Sequence, residues 1–113
     1  MKSLFLALMM TLMTSSIASA HVKLVSSIPA DGAVLEASPQ NITLKFSQAA
    51  RVVSVTLVGS NDKKTKASDL PKGLVEEAVV NIPTLAAGDY VITWRGASKD
   101  MHAMSGTIKF TVK

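Results

Sequence analysis

Apolar and polar residues alternate with a period of two along most of the chain beyond residue 21. This alternation is typical of strands that have one face in a core and the other in solvent. Clusters of Gly, Pro, Asn and Asp separate the runs and indicate turns. The clearest predicted strands are Val22–Ser26, Ile42–Phe46, Val52–Val58, Leu74–Ile82, Tyr90–Arg95 and Thr107–Val112. With the remaining segments the pattern predicts about seven strands and an all-β antiparallel sandwich or barrel.

The same alternation predicts which side chains form the core. The residues expected to point inward are Ile42, Leu44, Phe46, Val53, Val55, Leu57, Tyr90, Ile92, Trp94, Ile108, Phe110 and Val112. Helical spacing is not found over any useful length, and Leu35–Ala37 could form one helical turn at most.

Residues 1–20 have the pattern of a secretory signal peptide. Lys2 supplies a positive charge, Leu4–Met13 is apolar, and Ala18–Ala20 is a small-residue cleavage signal. The apolar run is shorter than the roughly 20 residues that span a bilayer. An uncleaved anchor or a buried first helix is the alternative interpretation. We expect cleavage and export, which leave one mature domain of residues 21–113.

Charge and cysteine content exclude several classes of function. The chain carries 12 Lys and Arg against 8 Asp and Glu, a net charge of +4. The only dense basic group, Lys63–Lys66, is predicted to be a solvated loop, because a nucleic-acid surface needs a broader basic face with stacking aromatic residues. The chain has no cysteine, which excludes thiolate-bound zinc, iron–sulfur centres, blue copper and a cysteine nucleophile.

One of the two histidines, His21, would become the first residue after cleavage. A first-residue histidine offers its α-amine and its ring Nδ1, and both can bind one metal ion as a chelate. Reference pKa values are about 8 for the α-amine and about 6.5 for the imidazole, so both groups deprotonate readily near neutral pH.

The second histidine, His102, lies two residues after Asp100. In an extended segment residues i and i+2 point to the same side, so this segment could offer a carboxylate and an imidazole together. With His21 the set contains three nitrogens and one oxygen, which favours Cu(II). The sequence does not show that the distant histidines meet; a solvated terminal histidine and an ordinary Asp-x-His turn are the alternatives.

Four segments are similar to the CopC/PcoC family of copper-resistance proteins: His21–Gly32, Leu44–Ser47, Ala87–Arg95 and Ser98–Gly106. The resemblance extends over residues 21–113. It implies a cupredoxin-like (Ig-like) Greek-key β-sandwich in the periplasm that binds one Cu(II) per chain. It also implies a non-enzymatic carrier or chaperone role in copper homeostasis or resistance.

The resemblance further assigns the metal ligands to His21, Asp100 and His102. Copper is the implied partner, together with an inner-membrane copper transporter of the CopD type. A monomer is expected, with no nucleic-acid partner.

Two departures from the family pattern affect the site. The family often has a glutamate after the Phe-Ser pair, where this chain has Gln48. An amide can hydrogen-bond a ligand or a bound water, so Gln48 is a candidate for the layer around the ligands; an ordinary strand-end glutamine is the alternative. A methionine-rich loop that binds Cu(I) in some members has no methionine here, in the stretch Gly59–Leu70. Met101 and Met104 are weak candidates for Cu(I) thioethers, since such residues more often fill gaps in a core, and a Cu(II)-only protein is expected.

Two other functions remain open from the sequence. A copper ion held by an N-terminal histidine is also the centre of lytic polysaccharide monooxygenases, but Asp100 would occupy a position that oxygen chemistry needs open. A metal-free Ig-like interaction domain is the other alternative.

Overall fold

The computed structural model describes residues 22–113, so the predicted signal peptide and His21 lie outside the described residues. Every regular element in this range is a strand, which confirms the predicted all-β class. The seven strands are β1 (Leu24–Ile28), β2 (Ala33–Leu35), β3 (Asn41–Gly59), β4 (Lys64–Lys66), β5 (Leu74–Asn81), β6 (Gly88–Ser98) and β7 (Ala103–Val112). Across residues 22–113 there is no helix that is long and apolar enough to cross a membrane.

The long strand β3 joins two segments that the sequence predicted to be separate strands. It runs for 19 residues and contains both Ile42–Phe46 and Val52–Val58. The residues between them, Ser47–Arg51, lack a clear alternation, which is why a break was expected. They stay extended where neighbouring strands hold them: Ala50 pairs with β5 on one side and with β6 on the other.

The strands form one sheet in the order β1-β3-β6-β7-β2, and β4 and β5 also pair with β3. β5 pairs with β3 at both Lys45 and Ala50, so it follows one edge of that strand. β1 and β6 follow each other along the other edge, where Leu24 pairs with Phe46 and Ser98 pairs with Ala50. The start of β1 and the end of β6 therefore lie at neighbouring positions on β3.

The core consists of inward side chains from β3, β5, β6 and β7. The buried apolar residues are Ile42, Leu44, Phe46, Ala50, Val52, Val55, Leu57, Ala78, Val80, Ile92, Trp94, Ile108, Phe110 and Val112. Phe46 and Trp94 meet edge to face with ring centroids 5.5 Å apart. Gly106 allows the indole to lie close, because a Cβ at that position would be 2.8 Å from Trp94 Nε1. Most of the predicted core is confirmed, and Tyr90 is half-buried at its margin.

A β-bulge in β3 makes one part of the predicted core wrong. The pairing of β3 with β6 shifts register between Val52 and Ser54. Val52 is buried, whereas Val53 is 56% exposed. A bulge inserts one extra residue, so the faces exchange across it and a strict period of two cannot be continued through it.

The two shortest strands also differ from the sequence expectations. β2 pairs in parallel with the end of β7, and Leu35 belongs to it rather than to a helical turn. β4 pairs with Thr56–Val58 of β3. The lysine-rich group predicted to be a loop is thus largely an edge strand, although its lysines are solvated as expected. Lysines on an edge strand disfavour pairing with other chains.

Candidate metal centre

The predicted ligands Asp100 and His102 lie in the turn Ser98–His102, called here the β6–β7 turn. Two backbone hydrogen bonds close it. The N–H of Met101 donates to the carbonyl of Ser98 at 2.9 Å, and the N–H of Ser98 donates to the carbonyl of His102 at 3.0 Å. Met101 has a left-handed backbone, with φ of 71°. This three-residue loop is a common hairpin connection, so the positions of the residues on it are well defined.

The side chains of Asp100 and His102 meet on this turn. Asp100 Oδ2 lies 3.4 Å from His102 Nδ1, and the two side chains are 60% and 69% exposed. The sequence argument for their proximity assumed an extended segment, and that assumption is wrong. The chain reverses direction here, with a left-handed Met101 between the two residues.

The separation of these two atoms fits two donors of one metal ion. Ligands at bond lengths of about 2.0 Å lie roughly 2.8–3.3 Å apart in tetragonal or tetrahedral sites. The observed 3.4 Å is slightly longer, and small rotations of exposed side chains can close the difference. Within residues 22–113 no group of three or more His, Cys, Asp and Glu side chains forms a candidate metal cluster. The third predicted protein ligand, His21, lies outside the described residues.

A buried serine beneath the turn contacts both candidate ligands. Ser98 is 6% exposed, and its Oγ donates to Asp100 Oδ1 at 2.6 Å. The same oxygen accepts a hydrogen bond from the N–H of His102 at 3.1 Å. Ser98 was not among the predicted site residues, because the predicted strand Tyr90–Arg95 ended before it. Continuing the inward positions past Trp94 would have placed a hydroxyl at position 98 on the core-facing side.

The start of the described chain lies beside the same region of β3. The N–H of Ser47 donates to the carbonyl of Lys23 at 2.8 Å, and the N–H of Lys23 donates to Ser47 Oγ at 2.9 Å. Three residues further along β3, Ala50 pairs with Ser98 at the base of the β6–β7 turn. The backbone that leads toward residue 21 and the turn with Asp100 thus approach each other along one edge of β3.

The other candidate residues lie around this region. Gln48 is exposed on β3, between Ser47 and Ala50. Met101 is 79% exposed, whereas Met104 is half-buried against the core. Both methionines line a surface depression of about 250 Å³ on the hairpin formed by β6 and β7. Met104 therefore has the packing role that the sequence offered as an alternative to a Cu(I) ligand.

Known proteins share both the sequence pattern and the fold of this chain. The sequence profile of the CopC domain matches residues 24–113. Copper resistance protein C of Escherichia coli is 37% identical over 108 residues, which cover 85% of this chain and 84% of that protein. Copper resistance protein C of Pseudomonas syringae pv. tomato is 34% identical over 112 residues, covering 90% and 88%.

A solved structure gives the corresponding result for the fold. The crystal structure of CopC from Methylosinus trichosporium OB3b matches with a TM-score of 0.72 at 28% sequence identity. The match covers 82% of this chain and 94% of that chain. The similarity therefore includes all or most of the seven strands.

Proposed function

This chain belongs to the CopC family, and from that premise we propose that it binds copper and functions in copper resistance or homeostasis. The names of its relatives support the choice of metal. The chemistry of the turn agrees with this choice, because an imidazole and a carboxylate are both donors that Cu(II) accepts.

In this proposal one Cu(II) ion per chain is bound by the α-amine and Nδ1 of His21, by His102 and by Asp100. The observation that carries the proposal is that Lys23 is bonded to Ser47, three residues before Ala50, which pairs with Ser98 at the base of the β6–β7 turn. The three residues of β3 from Ser47 to Ala50 span about 10 Å. The two residues from Lys23 back to position 21 span roughly 7 Å when extended. A histidine at the mature N-terminus is then within reach of Asp100 Oδ2 and His102 Nδ1.

The donor set also suits reversible metal transfer. Neutral nitrogens and a single carboxylate leave net positive charge on the Cu(II) centre. The exposure of Asp100 and His102 gives a receiving protein access to the ion. Protons compete with copper for nitrogen donors, so affinity falls as the pH is lowered. These properties support a carrier or chaperone rather than an enzyme.

The proposed setting is the periplasm, reached through removal of residues 1–20. There the protein acts as a monomer and exchanges copper with an inner-membrane transporter of the CopD type. The pattern of the N-terminal residues supports the periplasmic location, and the family resemblance supports the transporter as a partner.

The test is a protein whose mature N-terminus carries one extra alanine before His21, compared with the normally processed protein. The extra residue removes the α-amine from the chelate, so most of the Cu(II) affinity is lost and the EPR spectrum changes. Affinity is measured by competition titration, and mass spectrometry verifies both N-termini. A matched control carries the extra alanine after Lys113. Equal affinities for all three proteins would contradict the role of His21.

A further inference from the structure

The two carboxylate oxygens of Asp100 contact different partners, and one of these partners is Ser98. Its hydroxyl is bonded to Oδ1 at 2.6 Å, while Oδ2 faces His102 Nδ1 at 3.4 Å. The same hydroxyl accepts the N–H of His102 at 3.1 Å. One buried oxygen thus contacts the side chain of one candidate ligand and the backbone of the other.

The direction of these hydrogen bonds follows from the chemistry of the groups. A serine hydroxyl has a single proton, and an amide N–H can only donate. Because a carboxylate oxygen can only accept, the hydroxyl proton of Ser98 is donated to Asp100, and the same oxygen accepts the N–H of His102. A hydroxyl that donates to a carboxylate at this distance forms a short, charge-assisted bond.

The rigidity of Ser98 gives these contacts their effect. Its backbone is paired with Ala50 of β3, and its side chain is buried. Asp100 and His102 lie on an exposed turn. Their hydrogen bonds to Ser98 connect this turn to the folded core.

The backbone of such a turn does not need a hydroxyl at this position. The turn between β3 and β4, Gly59–Lys63 (the β3–β4 turn), is closed by the equivalent pair of bonds. There the N–H of Asp62 donates to the carbonyl of Gly59 at 2.9 Å, and the N–H of Gly59 donates to the carbonyl of Lys63 at 3.1 Å. Glycine holds the place that Ser98 holds in the other turn.

We propose that Ser98 is a positioning residue for copper binding, which holds the Asp100 carboxylate and the His102 backbone so that Oδ2 and Nδ1 face the same ion. This inference rests on the proposed function, because it requires Asp100 and His102 to be ligands. Residues that orient metal ligands through hydrogen bonds commonly contribute strongly to metal affinity.

The first test compares Cu(II) binding by Ser98→Ala, Ser98→Thr and the parent protein, all with the processed N-terminus. We expect Ser98→Ala to weaken binding by about 10- to 100-fold, the range found for residues that orient metal ligands. The Cu(II) EPR spectrum should change because the geometry around the ion is less well defined. Ser98→Thr keeps the hydroxyl and should restore both affinity and spectrum.

Two controls separate positioning from a general loss of stability. Ser105→Ala removes a hydroxyl from the exposed, opposite face of the same hairpin and should leave copper binding unchanged. Ile108→Val loosens the core and lowers the melting temperature, but should leave the EPR spectrum of the bound ion unchanged. A spectrum altered equally in Ile108→Val and Ser98→Ala would overturn the positioning role.

A double-mutant comparison decides whether Ser98 acts through Asp100. If it does, Ser98→Ala should weaken binding much less when Asp100 is already alanine. Full additivity of the two losses would contradict the inference. If Asp100→Ala and His102→Ala weaken binding but Ser98→Ala does not, only the inference about Ser98 is wrong. If neither ligand variant weakens binding, the proposed site itself is wrong.

Discussion

The β3–β4 turn and the β6–β7 turn have the same backbone and different chemistry. Each is closed by the same pair of backbone hydrogen bonds. Each has a left-handed residue in the fourth position, Asp62 with φ of 61° and Met101 with φ of 71°. Comparing the two turns therefore distinguishes the residues that a hairpin requires from those that a metal site requires.

In the β3–β4 turn the side chain of Asn61 stabilises the turn itself. Asn61 Oδ1 accepts a hydrogen bond from the N–H of Lys63 at 3.2 Å, a local contact typical of asparagine in turns. In the β6–β7 turn the corresponding N–H, that of His102, is bonded to Ser98 instead. The carboxylate of Asp100, which is equivalent to Asn61, is thereby directed to Ser98 and to the imidazole.

The two turns also have different surroundings. Gly59 pairs with Tyr90 near the start of β6, whereas Ser98 is at its end. Eight residues of strand place the two turns about 26 Å apart. Only the β6–β7 turn is next to the point where Lys23 contacts Ser47. The two turns share one backbone conformation. What makes the β6–β7 turn a candidate copper site is therefore its side-chain donors and the chain segment next to it.

The largest expected effect is on Cu(II) affinity, when His102 and the equivalent residue of the other turn, Lys63, are each replaced by alanine. We predict that His102→Ala weakens Cu(II) binding by more than about 100-fold, because loss of a ligand exceeds the usual effect of losing a residue that orients one. Lys63→Ala should leave the affinity unchanged. Competition titration of both variants measures the difference. Similar affinities would remove the functional distinction between the two turns.

The strands were the predictable part of this molecule. Period-two alternation depends on the burial of one face, and that condition is met through Ile42, Leu44 and Phe46 and again through Ile92 and Trp94. The alternation failed at Val53, where the bulge reverses the faces. It also did not indicate that Ser47–Arg51 stays in β3, because the partners that hold these residues come from distant parts of the sequence.

The candidate site was predictable in its residue types and not in its geometry. Aspartate and histidine two residues apart are visible in the sequence, and the family resemblance assigned them to copper. The turn that brings them together has a left-handed backbone at Met101. Methionine does not favour that conformation, so the sequence does not predict it. The burial of Ser98 follows from continuing the alternation of β6 past Trp94, but its contacts with the turn depend on the folded geometry, which no spacing rule encodes.

A smaller effect is expected at the left-handed position of each turn. A left-handed backbone costs a residue such as methionine about 1–2 kcal/mol, while glycine and, to a lesser extent, aspartate tolerate it. We predict that Met101→Gly raises the free energy of unfolding by about 0.5–1 kcal/mol after the greater chain entropy of glycine is subtracted. Asp62→Gly should change it less.

Urea denaturation of the metal-free proteins measures both changes. Cu(II) affinity of Met101→Gly should stay close to that of the parent, because the thioether is not in the proposed ligand set. A destabilised Met101→Gly would indicate that Met101 makes packing contacts that outweigh its backbone cost. A loss of Cu(I) binding in this variant would assign the thioether a ligand role.

A further small effect is expected on β3, beside the β6–β7 turn. We predict that Gln48→Glu strengthens Cu(II) binding by a few-fold, since a carboxylate near the ion adds favourable charge or an additional donor. Gln40→Glu makes the same chemical change at an exposed position just before β3 and should have no effect. Equal behaviour of the two variants would place Gln48 outside the site.

The smallest effect is expected when the donors of one turn are transferred to the other. Asn61→Asp combined with Lys63→His places the Asp-x-His pair on a backbone equivalent to that of Ser98–His102. We predict no second tightly bound Cu(II) ion per chain, because this turn lies about 26 Å along β6 from the other and is not next to the contact of Lys23 with Ser47. Metal analysis of the purified double variant measures the stoichiometry.

Two ions of similar affinity would show that the local pair is sufficient, and the proposed contribution of His21 would then be unnecessary. A single ion with parent-like EPR would instead indicate that copper binding depends on the position of the turn next to the start of β1.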